Sequence, residues 1–258
     1  MFGFNEFTHK EFKNNFLKSV VFQFTFNSIE QFKDKQEQII SIFSNKFPLV
    51  KSPSIGGMEI LFNNNETPIL QSVKDDTIIE LKSQDKQRTL SISSSTLSLT
   101  ISGREYKNYS GLSGLFPYIN EFLKVSDIKE THRIAIRKIN IIEANSTLEN
   151  NPNEILNFVI NEQLISDLNY LPDSKIIKQN MYVLRLNNEN YNLNLKYGLN
   201  VPQTPLQIIN QVIIDIDLFN NATLPSNELF GIADNINKEI FNIFNWVIND
   251  SFLNLLNE

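Results

Sequence analysis

The sequence predicts an α+β protein built as two tandem β-α-β(n)-α halves with antiparallel sheets. Three observations carry this. Short alternating strands follow one another without intervening helices, which is the pattern of antiparallel meanders. Apolar stripes at helical spacing occur early and late in each half. The order strand, helix, meander, helix occurs twice, with almost no residue identity between the copies.

In the first half, Val20, Phe22, Phe24 and Phe26 alternate with Gln23 and Thr25 as a strand with one buried face. Ser28-Ile29-Glu30-Gln31 reads as a capping box that opens a helix. Its stripe is Ile29, Phe32, Ile39, Ile40, Phe43 and Phe47, and Pro48 ends it. Strands are then expected over 58–62, 69–73 and 77–82, with turns at 63–66 and 75–76. A hairpin over 89–93 and 96–102 turns at Ser94-Ser95. A second helix begins near Ser113, with Pro117 in its first turn, where backbone amides lack partners in any case.

The second half opens on a long strand, 132–142. Asn151-Pro152-Asn153-Glu154 then caps a helix whose apolar positions continue to Leu168. Strands at 178–186, 191–199 and 207–218 lead to a closing helix from Ser226, and Asp250 caps a short last one. Each half buries one sheet face against its helices. The expected architecture is a helix-grip or TATA-binding-protein-like pseudo-duplication. Its halves are 1–130 and 131–258, with a hinge near 125–131. One continuous sheet with helices on one side is the alternative.

Composition narrows the chemistry. The 258 residues contain no Cys and two His, His9 and His132. This removes disulfides, Cys nucleophiles, iron–sulfur clusters, Cys zinc sites and three-His zinc sites. At 41% hydrophobic and 20% charged residues, the chain is globular and long enough to bury a large core. The 36 asparagines, with Ile, Lys and Phe, share AT-rich codons, and this points to an AT-rich bacterial genome. The net charge of −6 lies entirely beyond residue 130, and no basic block signals a phosphate-binding surface. With no signal-peptide pattern and no run of 18 apolar residues, a cytoplasmic protein without membrane contact is expected. No nucleophile elbow, P-loop, dinucleotide fingerprint or H-E-x-x-H is present, so no cofactor is expected.

Two polar clusters remain on apolar strands. Arg133 and Arg137 share one strand face, where guanidinium groups could hold an anionic ligand bidentately. Asp215 and Asp217 share another, where paired carboxylates could bind a divalent ion or do acid–base work. If the two strands are neighbours, the four charges instead pair, because isolated buried charges cost several kcal/mol. Tyr106 and Tyr109 are candidates for a partner-binding surface, against a role in closing the core. No residue is assigned a catalytic or metal-binding role. The N-terminal Phe2, Phe4, Phe7, Phe12 and Phe16 dock on the core or on a partner.

Val21-Phe22-Gln23-Phe24, then Arg133-Ile134-x-x-Arg137-x-Ile139-Asn140, then Ile214-Asp215-Ile216-Asp217, occur in order before a Phe-rich terminal helix. With these landmarks the chain resembles a sporadically distributed bacterial protein family of unknown function, over about residues 17–257. Lys138 stands where that pattern expects an aromatic. The resemblance supplies no catalytic residues. It implies an accessory component of a defence or toxin–antitoxin-like locus. The expected function is therefore a non-catalytic binding or interaction protein. Its partner is another protein, such as a neighbouring gene product, with a second copy of the chain also open. The alternatives are a nucleic-acid-binding module using a sheet face, and a small-ligand-binding protein or enzyme with a cavity between sheet and helix.

Overall fold

The computed structural model describes residues 1–7, 12–51, 58–61, 69–72, 78–143, 152–165, 179–201 and 210–257. The chain is α+β. Its strands are β1 (Leu17–Phe26), β2 (Leu49–Lys51), β3 (Met58–Leu61), β4 (Ile69–Ser72), β5 (Ile79–Lys82), β6 (Arg88–Ile92), β7 (Thr96–Ser102), β8 (Glu130–Glu143), β9 (Gln179–Asn188), β10 (Tyr191–Asn200), β11 (Gln211–Asn220) and β12 (Leu224–Pro225). Its helices are α1 (Phe32–Phe43), α2 (Ser110–Ser113), α3 (Phe116–Val125), α4 (Pro152–Val159), α5 (Leu229–Val247) and α6 (Asp250–Asn257).

One antiparallel sheet runs β2-β5-β6-β7-β1-β8-β11-β10-β9, with β12 added to the end of β8, while β3 and β4 form a separate hairpin. The strands that open the two halves, β1 and β8, pair with each other at the centre. β7, β6, β5 and β2 continue outward from β1, and β11, β10 and β9 continue outward from β8. Backbone hydrogen bonds therefore join the halves across residue 130.

The alternation read in β1 is present in the structure, with Val20, Phe22, Phe24 and Phe26 buried on one face, and Leu97, Leu99 and Ile101 of β7 are buried beside them. Leu90, Ile134, Ile136, Ile214, Ile216, Leu193 and Leu195 continue that face across the sheet. Helix α5 packs on β8 and β11, α4 on β10 and β11, and α1 on α3 and β5. Phe122 of α3 meets both Phe26 and Phe43, tying helix, sheet and helix together.

Several expectations require correction. The capping box does not form. Helix α1 starts at Phe32, behind Gln31 in left-handed backbone with no side-chain cap. The preceding residues are held instead by the β6–β7 turn, where the Ile29 N–H donates to the Ser94 carbonyl at 2.8 Å. Tertiary hydrogen bonds thus replace a local cap. The second helix is two, α2 and α3, separated by Gly114 and Leu115. Helix α4 stops at Val159, because Ile160 pairs with Ile248 and Asn161 caps a short turn over 162–164. Leu168, His9, Asn151 and residues 63–66, 75–77 and 207–209 lie outside the described residues.

The N-terminal phenylalanines pack on the closing helices. Phe4 meets Trp246, Phe12 meets Phe241 and Phe244, and Phe16 meets Phe252. Two backbone bonds secure this strap: Phe2 N–H to Glu239 Oε1 at 3.0 Å, and Phe7 N–H to Asn242 Oδ1 at 3.1 Å. Both acceptors belong to buried side chains of α5, so the strap satisfies groups that would otherwise be costly to bury. No helix among the described residues is long and apolar enough to cross a membrane.

Candidate functional site

The two charged pairs lie on the sheet face opposite the helices. The register places Arg137 directly across from Asp217 and places Asp215 across from Ile139. The side chains choose the diagonal. Arg137 donates from Nε to Asp215 Oδ1 at 2.8 Å and from Nη2 to Asp215 Oδ2 at 2.6 Å. This two-point geometry is the strong form of a carboxylate–guanidinium contact. The Asp215 side chain is 12% exposed and that of Arg137 45%. Hydrogen bonding to Asp215 raises the Arg137 pKa further above its ordinary value.

Arg133 is held differently. It donates from Nη1 to Gln23 Oε1 at 2.6 Å, lies over the Phe219 ring at 4.5 Å, and stands 3.8 Å from Asp217. Burial lowers its pKa, partly offset by Asp217. Burial raises the pKa of Asp217, against the pull of Arg133 and a 3.5 Å bond from Asn194. A carboxyl whose folded pKa is raised is less stable ionised than in the unfolded chain. Its penalty is full above the raised value and is relieved as pH falls through it. Asp217→Asn is therefore expected to be neutral or mildly stabilising at pH 7, within about 1 kcal/mol. Urea unfolding of both proteins measures this, and a loss above that margin would show that the Arg133 contact outweighs desolvation.

The rest of this face mixes polar side chains with apolar ones such as Val21, Ile139, Val183 and Ile213. One ladder row reads Lys51, Glu80, Ser91, Ser98, Gln23 and Ala135, and the next passes Thr89, Thr100, Val21, Arg137, Asp217 and Asn194. Lys51 and Lys82 both reach Glu80, at 3.5 and 3.1 Å. No group of three or more His, Asp or Glu among the described residues is arranged to hold a metal ion. His132 bridges Thr223 and Asn27, at 3.2 and 2.8 Å.

On the other face, between β1, β8, α5 and the loop at 103–109, lies a cavity of about 530 Å³. Its lining includes Tyr106, Tyr109, Lys138, Asn140, Phe12 and Phe241. Arg133, Arg137, Asp215 and Asp217 do not line it, because their odd-numbered positions point to the opposite face. Tyr106 is 5% exposed, so it is not a partner-facing side chain. Its ring lies under the Lys138 ammonium, 5.3 Å from the ring centre, and its buried hydroxyl has no hydrogen-bond partner. Tyr109 is half-buried against Phe116, with Asp234 acting on its hydroxyl. Burial raises both tyrosine pKa values.

Lys138 is the residue that sequence reasoning overlooked. It pairs with Val20 and Ile216 on the apolar face and donates from Nζ to Asn237 Oδ1 at 2.8 Å. Burial lowers its pKa to about 8. The signal was available: in Ile134-x-Ile136-x-Lys138, a cation occupies the buried register of a strand. Gly103 shapes the same cavity. A side chain there would place its Cβ 1.5 Å from the Leu17 carbonyl oxygen, so only glycine lets the loop cross β1 this closely. Neither a protein-family model nor a curated protein matches the chain.

Proposed function

We propose that the chain is a non-catalytic binding protein that holds another protein on the sheet face opposite its helices. The observation that supports this most is the mutual neutralisation of the charged groups there. The Arg137 fork is filled by Asp215, and Asp217 is shared between Arg133 and Asn194. A general base or an anion clamp needs a group that is not already satisfied in this way.

The interleaving of the two signs favours protein over nucleic acid. By register, Lys51, Lys82, Arg133, Arg137, Arg185 and Lys196 share the face with Glu80, Glu143, Asp215 and Asp217. A phosphate backbone calls for a predominantly basic footprint. Interleaved charges with serine, threonine and asparagine between them suit a polar protein surface.

The same reading takes 1–130 and 131–258 as duplicated halves of a TATA-binding-protein-like arrangement. Support comes from the strand order. β1 and β8 pair at the centre, each is followed by a helix, and each half's meander ends beside its own opening strand. The resemblance to a sporadically distributed bacterial family, and a place in an accessory defence-type locus, belong to this proposal.

The test uses purified products of neighbouring genes. One is expected to bind, and Ser98→Arg with Asn194→Arg, both on this face, is expected to weaken it at least about 100-fold. Retained binding by a folded double variant overturns the sheet-face assignment. An electrophoretic shift with DNA or RNA at low salt would favour nucleic acid instead.

A further inference from the structure

The cavity on the helix side of the sheet is independent of the sheet-face reading. We propose that it binds a small organic monoanion, a carboxylate carried on an aromatic or aliphatic body. The carboxylate would sit at Lys138, with the body against the phenylalanines of α5 and the N-terminal strap.

Four observations converge. At about 530 Å³ the cavity has the size of a small-molecule site. Its wall is largely apolar, formed by Phe12, Phe16, Ile240, Phe241 and Phe244. Two of its polar groups, Lys138 and Tyr106, have unused hydrogen-bonding capacity. The Lys138 ammonium has one acceptor, Asn237, and no carboxylate within ion-pair distance among the described residues, and the buried Tyr106 hydroxyl has no partner. Finally, apart from Lys13 the described lining carries Arg104, Lys107 and Lys138 and no Asp or Glu. Such one-signed walls attract anions.

The headgroup is argued from the donor set. Dianionic phosphate is commonly held by several cations or by a fork of backbone amides. Among the lining cations only Lys138 is sheltered, with Lys13, Arg104 and Lys107 exposed. That suits a single negative charge. Asp234 on α5 acts on Tyr109, and the lowered pKa of Lys138 agrees with an ammonium that lacks a counter-ion.

The test compares 2-naphthoate with its neutral isostere 2-naphthamide by titration calorimetry on the full chain. The naphthoate is expected to bind at least about tenfold more tightly. Lys138→Met is expected to erase that preference. Arg104→Gln with Lys107→Gln, both exposed, is expected to weaken naphthoate several-fold and flatten its salt dependence. Arg137→Ala, on the opposite face, is expected to leave it unchanged. Equal affinity for the two probes, or no binding of either at millimolar concentration, overturns the proposal. So does loss of naphthoate binding in folded Arg137→Ala, which would move the anion to the sheet face. If Lys138→Met fails to fold, the Arg104/Lys107 variant decides, and unchanged naphthoate affinity and salt dependence there also overturn it.

Discussion

Lys138→Met is expected to stabilise the protein by up to about 3 kcal/mol at pH 7. An ordinary lysine keeps its proton to about 10.5, and burial brings Lys138 down to about 8. Below that lower value both folded and unfolded chains are protonated, and the folded state bears the cost of a charge partly withdrawn from water. Above it the unfolded chain binds more protons than the folded one, so wild-type stability rises with pH. The rise continues to about pH 10. There Tyr106 and Tyr109 begin to oppose it, because unfolded tyrosines ionise while burial keeps the folded ones neutral. Methionine fills much the same volume against Val20 and Ile216 without a charge. Urea unfolding from pH 7 to pH 10 tests this. Wild type should gain stability across the window and Lys138→Met should not. A variant less stable than wild type at pH 7 would mean that the Asn237 bond and the Tyr106 ring outweigh the desolvation. A cation retained at this cost is what a ligand site requires, which is why the same variant serves in the binding test.

Arg137→Ala is expected to destabilise by about 2 kcal/mol. Removing one member of a buried pair strands the other, at about 3–5 kcal/mol. The Asp215 side chain is 12% exposed and would lose both guanidinium donors. The figure is reduced because Arg137 is 45% exposed, so solvent reaches the space it leaves. The double variant Arg137→Met with Asp215→Leu should recover most of the loss, since it removes both charges together. A double-mutant cycle measured by urea unfolding gives the coupling directly. A single-variant loss below about 0.5 kcal/mol would place this pair with ordinary surface ion pairs.

Much of the architecture was legible because strand alternation is a local property. Val20 through Phe26, and Leu97 through Ile101, state their buried faces in the sequence, and the structure buries those residues. The same parity put Arg133 with Arg137 and Asp215 with Asp217. It could not say which carboxylate each arginine takes. The ladder offers Asp217 to Arg137, but the guanidinium reaches diagonally to Asp215. Side-chain length and rotamer decide that, and neither is encoded in spacing. The capping box at Ser28 does not form for a related reason. Its local hydrogen bonds compete with the Ser94 and Ser95 carbonyls, which chain folding brings alongside. Two elements escaped notice because they are short: β2 and β12 exist only through pairing with β5 and β8.

The sequence by itself determined the α+β class, the buried faces of the strands over 20–26 and 97–101, and the absence of cysteine chemistry. These rest on composition and period, which act within a few residues of each position. The tertiary structure alone decided that β1 and β8 meet at the centre, that the arginines and aspartates neutralise one another on one face, and that Lys138 lines a cavity on the other. Those outcomes depend on contacts between residues about 80 to 120 positions apart, such as Arg137 with Asp215 and Lys138 with Val20. Only burial turns such contacts into paired charges or a lowered pKa, and burial is a property of the assembled fold.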